Sequence, residues 1–325
     1  MPRKIDKIDA NILRNLLQDG RRSFEDIAKE CGVSTNVIRK RFIKMETAGI
    51  VVGATVQVDY KCLGYMAIAS LLLNVESQHV ETALARLSKI SNVLPIRQFN
   101  SRYGIRLVAR LQSLKELDRI KEAIRLNNAV IDLRTYFWLD VRNTPENLSF
   151  GIEDSQSTRL SEGILKTCSS QKAVSVDELD LAIVEKLSKD GRMSFRKTSE
   201  EIGISADTII RRFEKLKASG NVKVSIQINP EKLGYCTILD FSIAFAFQQE
   251  TDAILENLSK IPDVIIILKT SGDYDLHVTA MARDTEQQFR IQEEIAKIPN
   301  IARLETAARR IPNEWPTRTQ HISTF

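Results

Sequence analysis

Two stretches of the chain bring basic side chains together at helical spacing. In residues 35–49 they are Arg39, Lys40, Arg41 and Lys44, with Glu46 as the only acid. In residues 206–220 they are Arg211, Arg212, Lys215 and Lys217, accompanied by Asp207 and Glu214. Cations presented by a short helix can neutralise phosphates and donate to base edges in a DNA major groove. Polar residues open both stretches: Ser34, Thr35 and Asn36 in the first, Ser205 in the second. Their side chains suit helix capping and contact with a phosphate or base edge. Arg21 and Arg22, just after Asp19-Gly20, suit contact with the nucleic-acid backbone, and Gln57 is a candidate for the minor groove. Other chemistry finds little support. No nucleophile–base pair and no phosphate-binding glycine loop stands out. Cys31, Cys62, Cys168 and Cys236 lie far apart, as do His79, His277 and His321. No catalytic residue, metal or cofactor is therefore expected, and the thiols are read as reduced.

A repeat organises the elements that must position these residues. GVSTNVIRKRFIKMETAGIV (32–51) and GISADTIIRRFEKLKASGNV (203–222) align at a constant offset of 171. Ser34 and Ser205 sit at N-cap positions, and Gly49 and Gly220 sit where a helix end favours a left-handed residue. Ile38, Phe42 and Met45 recur at i, i+4 and i+7, and so do Ile209, Phe213 and Leu216, which predicts one buried stripe per helix. On the exposed face, Asp207 and Glu214 take the places of Asn36 and Ile43. Upstream, residues 6–18 predict a helix that Asp19-Gly20 breaks, and Ser23 caps a second helix through Glu30. The turn Cys31-Gly32-Val33 completes a helix-turn-helix. GIVVGATVQVDY (49–60) alternates around Gly53 and reads as a hairpin, the wing. Next come a strand at 66–75, a helix at 78–89, strands at 93–99 and 105–111, a helix at 113–126 and a strand at 131–141. That order is βαββαβ, the ferredoxin-like pattern. The programme then repeats from Val176.

The expected fold class is α+β, with two repeats, each a winged helix-turn-helix followed by a ferredoxin-like βαββαβ domain. The predicted domains are 1–60 and 177–230 for the helix-turn-helix units and 61–142 and 231–311 for the βαββαβ units. Residues 143–176 read as a Ser-rich linker with one short helix, and 312–325 as a polar tail. The net charge of +5 divides unevenly. Residues 1–150 carry 24 Lys+Arg against 16 Asp+Glu, and residues 151–325 carry 23 against 26. The basic half suits a polyanion partner. No apolar run reaches the roughly 18 residues of a membrane span. The N-terminal residues lack a signal-peptide core, so a cytoplasmic protein is expected.

A helix-turn-helix, a Leu-Gly-Tyr junction (Leu63-Gly64-Tyr65 and Leu233-Gly234-Tyr235) and then βαββαβ resemble the Lrp/AsnC family of transcription regulators. The stretch from Gly32 to Gly64 is close to that family's signature. The resemblance implies binding to double-stranded DNA, assembly into homo-oligomers and modulation by a small effector, often an amino acid. It places the effector near the loop between the second and third strands of the βαββαβ domain. In the second copy that loop holds Thr270, Gly272, Asp273, Tyr274 and Asp275. A Gly-Asp pair between strands is also an ordinary hairpin turn. The first copy has Ser101-Arg102-Tyr103-Gly104 there, so it is expected not to bind an amino acid in the same way. The fusion of two units departs from the family's single unit and suggests a pseudo-dimer within one chain. Siroheme decarboxylases share this architecture, sometimes as fused pairs, and typically carry a His-Asn-Tyr stretch in the second domain. The corresponding strands here read Leu94-Pro95-Ile96 and Ile265-Ile266-Ile267, and a regulator, not an enzyme, is the expectation.

Overall fold

Each repeat lays down four helical and strand modules and then a βαββαβ run, in a computed structural model that describes residues 5–126, 128–152, 176–246 and 251–317. The first repeat comprises α1 (Lys7–Gln18), α2 (Phe24–Cys31), α3 (Thr35–Thr47), β1 (Val51–Val58), β2 (Ala67–Val75), α4 (Val80–Leu87), β3 (Val93–Arg97), β4 (Ile105–Leu111), α5 (Leu114–Arg125) and β5 (Val130–Asn143). The second comprises α6 (Glu178–Lys189), α7 (Phe195–Ile202), α8 (Ala206–Ala218), β6 (Val222–Ile228), β7 (Thr237–Phe245), α9 (Thr251–Lys260), β8 (Val264–Ser271), β9 (Leu276–Ala282), α10 (Thr285–Ala296) and β10 (Ile301–Arg310). The side chains of Asp6, Ser23, Asp177 and Ser194 accept from backbone N–H groups of the first turns of α1, α2, α6 and α7. Gly32 and Gly203 end α2 and α7 in the left-handed conformation. Among the described residues no helix is long and apolar enough to cross a membrane.

The chain divides into two compact units, each assembled from both repeats. One unit takes residues 1–63, 143–236 and 311–325, and therefore holds both helix-turn-helix copies. The expected hairpin is absent. Residues 51–58 form the single strand β1, which pairs antiparallel with β6 of the other copy, from Val51↔Ile228 to Val58↔Val222. The alternation around Gly53 is real, but it serves a partner strand from the other repeat. The extra residue in the first copy is accommodated as a bulge between Val51 and Gly53, which leaves Val52 exposed.

The ribbon holds the two copies together reciprocally. Gly20 N–H donates to Val224 O at 2.9 Å, and Gly191 N–H donates to Ala54 O at 2.8 Å. Ser225 Oγ donates to Leu17 O and Thr55 Oγ1 to Ser188 O, both at 3.0 Å. Val56 and Val58 of β1 belong to the core of the second copy, with Ile183, Leu187, Phe213 and Leu216. Full burial of such a side chain contributes about 1.5–3 kcal/mol, so the second three-helix module does not close its core alone. The tail joins the same ribbon. Trp315 is buried and exchanges two backbone hydrogen bonds with Ile228, and Gln227 Nε2 donates to Pro316 O at 2.8 Å. Residues 145–147 form a 3-10 turn, after which Leu148 and Phe150 are buried in this unit. Residues 153–175, most of the expected linker, lie outside the described residues.

The other unit takes residues 64–142 and 237–310. Its strands run in the order β10-β7-β9-β8-β5-β2-β4-β3. The first repeat supplies β5-β2-β4-β3 and the second β10-β7-β9-β8, each the expected ferredoxin-like order. The halves join at β8–β5, and a bridge between Phe99 and Ala308 links the outer ends. Each half covers one sheet face with its own helices. Leu71, Leu107, Leu117 and Ile124 lie in the first core, and Phe241, Val278, Ile291 and Ile295 in the second.

Candidate nucleic-acid interface and effector loop

Helix α3 buries Ile38, Phe42 and Met45, and α8 buries Ile209, Phe213 and Leu216. The expected stripe thus fixes the rotation of both helices. Phe42 packs on Phe24 with ring centroids 5.2 Å apart, and Phe213 packs on Phe195 at 5.5 Å. Asn36, Arg39, Lys40 and Lys44 are left exposed on α3, as are Arg211 and Lys215 on α8. None of these five cations makes an ion pair among the described residues, so all are available to an anionic partner. Asp207 and Glu214 are exposed beside Arg211 and Lys215. The outer face of α3 is therefore more positive than that of α8. Thr35 is half-buried in the first turn. Ser34 holds N-cap geometry without a side-chain cap bond, whereas Ser205 accepts from Thr208 N–H at 3.3 Å and lies 2.8 Å from its hydroxyl. The Ser34 hydroxyl is thus the freer of the two.

The four other candidate arginines are engaged within the protein. Arg41 Nη1 donates to Asp6 Oδ2 at 2.6 Å and Asp9 Oδ1 at 3.0 Å. Arg212 Nη1 does the same with Asp177 Oδ2 at 2.6 Å and Asp180 Oδ1 at 2.9 Å. Each ties its recognition helix to the N-terminus of the first helix of its own copy. Burial pushes the Asp6 carboxyl up, but the Asp9 N–H and Arg41 outweigh it and hold it below the usual range. The signal was present in the repeat, because Asp6/Asp177 and Asp9/Asp180 share the 171 offset with Arg41/Arg212.

Arg21 crosses to the other copy. Its guanidinium lies 4.2 Å from the Phe195 ring centroid and donates to Met193 O at 2.7 Å. Arg192 reciprocates over Phe24 and Phe42, each at 5.1 Å. Burial pushes both guanidinium pKa values below the ordinary arginine range. Arg22 binds Asn15 and Glu30. Gln57 is buried in the ribbon and cannot reach a groove. Arg21 and Gln57 face inward for one reason: the strand expected to form a free wing is covered by the other copy.

The loop between β8 and β9 is closed by partners of its own. Thr270 Oγ1 donates to Tyr274 O at 2.8 Å, and Asp275 Oδ2 accepts from Phe245 N–H at 2.8 Å. The Asp273 carboxylate pairs with Arg134 of the first repeat, and its carbonyl accepts from Arg303 at 2.8 Å. Gly272 has φ +135°, and a Cβ there would stand 3.3 Å from Tyr136 Cβ. The glycine thus admits the first repeat's β5 strand at close range. In the first copy Arg102 pairs with Asp132 at 3.3 Å, and Tyr103 is buried.

A family model described as the AsnC-type helix-turn-helix domain matches residues 5–46 and 176–217. One described as the Lrp/AsnC ligand binding domain matches residues 243–308. HTH-type transcriptional regulator FL11 of Pyrococcus horikoshii is 32% identical over 129 residues, 39% of this chain and 85% of that protein. An uncharacterized HTH-type transcriptional regulator of Pyrococcus abyssi is 32% identical over 154 residues, 47% of this chain and 96% of its own. Among solved structures, the siroheme decarboxylase NirDL aligns over 97% of this chain and 96% of that one, with a TM-score of 0.62 at 14% identity. That likeness is one of fold. Two matched helix-turn-helix segments, a matched ligand-binding segment and relatives covered over 85–96% of their length lead to one conclusion: the chain belongs to the Lrp/AsnC family, as a tandem duplication of its unit.

Proposed function

We propose that this protein is a DNA-binding transcription regulator that offers its two helix-turn-helix copies to duplex DNA as an unequal pair. The observation that carries the reading is the unpaired, exposed trio Arg39, Lys40 and Lys44, held opposite the buried Ile38–Phe42–Met45 stripe. A rigid helix with cations on its outer face suits the major groove. The names of the Pyrococcus relatives agree with this assignment. Ser34, Thr35 and Asn36 are the polar contacts of the first helix, and Ser205, Arg211 and Lys215 those of the second. Arg41 and Arg212 set the helix angle. Related by the β1–β6 ribbon, the copies favour an imperfect inverted repeat, with the more tightly held half under α3. Substituting Arg39 and Lys40 with Ala is expected to weaken binding by tenfold or more and to flatten its salt dependence. Unchanged affinity in that variant counts against the reading.

An amino acid or other small effector at Thr270, Gly272, Asp273, Tyr274 and Asp275 is the second part of the proposal. A ligand ammonium there competes with Arg134 for Asp273. Calorimetric titration of the full chain with an amino-acid mixture, repeated on Asp273→Asn, tests it: heat lost in the variant supports the loop, and heat retained or absent in both argues against it. The rival of a siroheme-decarboxylase-like enzyme draws only on shared fold, and a bound-tetrapyrrole absorbance in purified protein is the result that favours it. Assembly beyond the single chain is a further part of the reading, read out by light scattering.

A further inference from the structure

The two recognition helices carry different side chains on the face turned away from the core. Asn36, Lys40 and Ile43 on α3 recur at i, i+4 and i+7, the spacing of the buried Ile38, Phe42 and Met45 but set two residues earlier. That step carries them roughly 200° around the helix, onto the opposite face. Asp207, Arg211 and Glu214 stand in the same relation to Ile209, Phe213 and Leu216 on α8. All six are exposed, Ile43 at 51%. The side chains of Asn36, Lys40, Asp207, Arg211 and Glu214 make no hydrogen bond or ion pair among the described residues. Glu214 lies within electrostatic reach of Arg21 of the other copy, which leaves Asp207 as the freer carboxylate.

These side chains differ in what they can read. In the major groove an amide pairs with N6 and N7 of adenine, and a Lys or Arg cation donates to guanine O6 and N7. An aliphatic group packs on the thymine methyl, and a carboxylate accepts from cytosine N4. Adenine N6 also donates, but a carboxylate that takes it brings its second oxygen against the N7 acceptor. Cytosine has no acceptor beside N4 on that edge, so it is the better partner. Carboxylates on the outer face also repel phosphate and lower non-specific affinity. Asp207 in the first turn of α8 favours the helix dipole as well, a role that is blind to base sequence.

Two identical helices related by a two-fold axis read an exact inverted repeat. Two unlike helices in one chain are free of that constraint. We infer that the copies select half-sites of different base composition: Asn36, Lys40 and Ile43 select one that contains A·T pairs, and Asp207, Arg211 and Glu214 select one built of G·C pairs. On α3 the amide takes adenine, the ammonium guanine and the isoleucine a thymine methyl. On α8 the guanidinium takes guanine, and the carboxylates take the N4 donors of cytosines. Arg39 on the flank of α3 is matched by Ile210 on α8, so the second copy also has one fewer cation for phosphate. The inference rests on the DNA-binding reading above and adds the bases that each copy selects.

The test selects binding sites for the full-length protein from a randomised duplex library at fixed salt, and then measures the selected duplexes with single base pairs exchanged. Wild type is expected to select a two-part operator, one half containing A·T pairs and the other G·C pairs. Asp207→Asn places the amide of α3 on α8. It should switch one base pair of the G·C half to A·T, by about tenfold in relative affinity at that pair, and leave the other half unchanged. Asn36→Asp should make the reverse switch in the other half. Both side chains are exposed and unbonded, so the variants should melt as wild type does. Wild-type selection of two halves of like composition overturns the inference and leaves the DNA-binding reading standing. So does an Asp207→Asn protein that selects the wild-type operator with only its overall affinity raised, which assigns Asp207 to the helix dipole alone. Failure to bind any duplex at low salt defeats that reading, and the inference with it.

Discussion

At the scale of single residues, the basic side chains sort by what they already touch. Arg39, Lys40, Lys44, Arg211 and Lys215 are exposed and unpaired, whereas Arg41, Arg212, Arg21 and Arg22 are engaged. Arg41→Ala is therefore expected to act mainly on stability, by about 1–3 kcal/mol, because it removes the cation shared by Asp6 and Asp9. Chemical denaturation reads that loss, and Arg39→Ala, measured the same way, should change stability by less than about 0.5 kcal/mol. His277 gives a pH prediction. Its folded pKa lies well below 6.5 because the ring is buried, with Arg106 adding to the effect. As pH falls through the unfolded value near 6.5, the unfolded chain takes up a proton that the folded chain refuses. Stability is then fully present above that pH and declines below it, by up to about 1.4 kcal/mol per pH unit. Urea melts between pH 7.5 and 5.5 should show this slope, and His277→Gln should reduce it. The sequence marked which positions were basic but not which were free. That depended on acids about 32–35 residues away along the chain, although the shared offset of Asp6/Asp177 and Arg41/Arg212 held the clue.

At the scale of elements, local physics was legible and pairing was not. The capping residue Ser23, the turn at Gly32, the left-handed Gly49 and Gly220 and the apolar stripes located the helices to within a residue or two. The stretch 51–58 was legible as extended chain but read as a hairpin, because its alternation is the same whether the partner is the next segment or one about 170 residues on. Gly20 and Gly191 carry the missing information. A Cβ at Gly20 would stand 2.9 Å from Val224 Cγ1 and 3.0 Å from the Ser225 carbonyl carbon, and one at Gly191 2.9 Å from Thr55 backbone atoms. The Asp-Gly breakers thus also serve as sites of close approach between the copies. Gly191→Ala, which meets backbone on the other strand, is expected to destabilise the helix-turn-helix unit by about 1–3 kcal/mol. Thermal melts should show that loss, while Gly49→Ala, with open space around its Cβ, answers only for its left-handed backbone.

At the scale of the whole molecule, duplication within one chain makes each unit a pseudo-dimer whose halves are free to diverge. In the helix-turn-helix unit the divergence is electrostatic: α3 presents Arg39, Lys40 and Lys44, while α8 offsets Arg211 and Lys215 with Asp207 and Glu214. In the βαββαβ unit it places Arg106 opposite His277 at equivalent positions. The polar residues inside apolar strands, Arg106 in IRLVARL, Asp240 in TILDFSIAF and His277 in LHVTAMA, were visible in the sequence. Their convergence was not, because it joins residues from both repeats. The central claim is that the two helix-turn-helix copies bind duplex DNA together and unequally. The most direct test is fluorescence anisotropy on genomic duplex fragments, including the protein's own upstream region, titrated with salt. Wild type is compared with Arg39→Ala/Lys40→Ala and with Arg211→Ala/Lys215→Ala. The account predicts salt-sensitive binding that weakens in both variants and more in the first, with the log–log salt slope falling by about one per phosphate contact removed. Absence of binding at low salt, or an α8 variant that abolishes binding while the α3 variant leaves it intact, would contradict it.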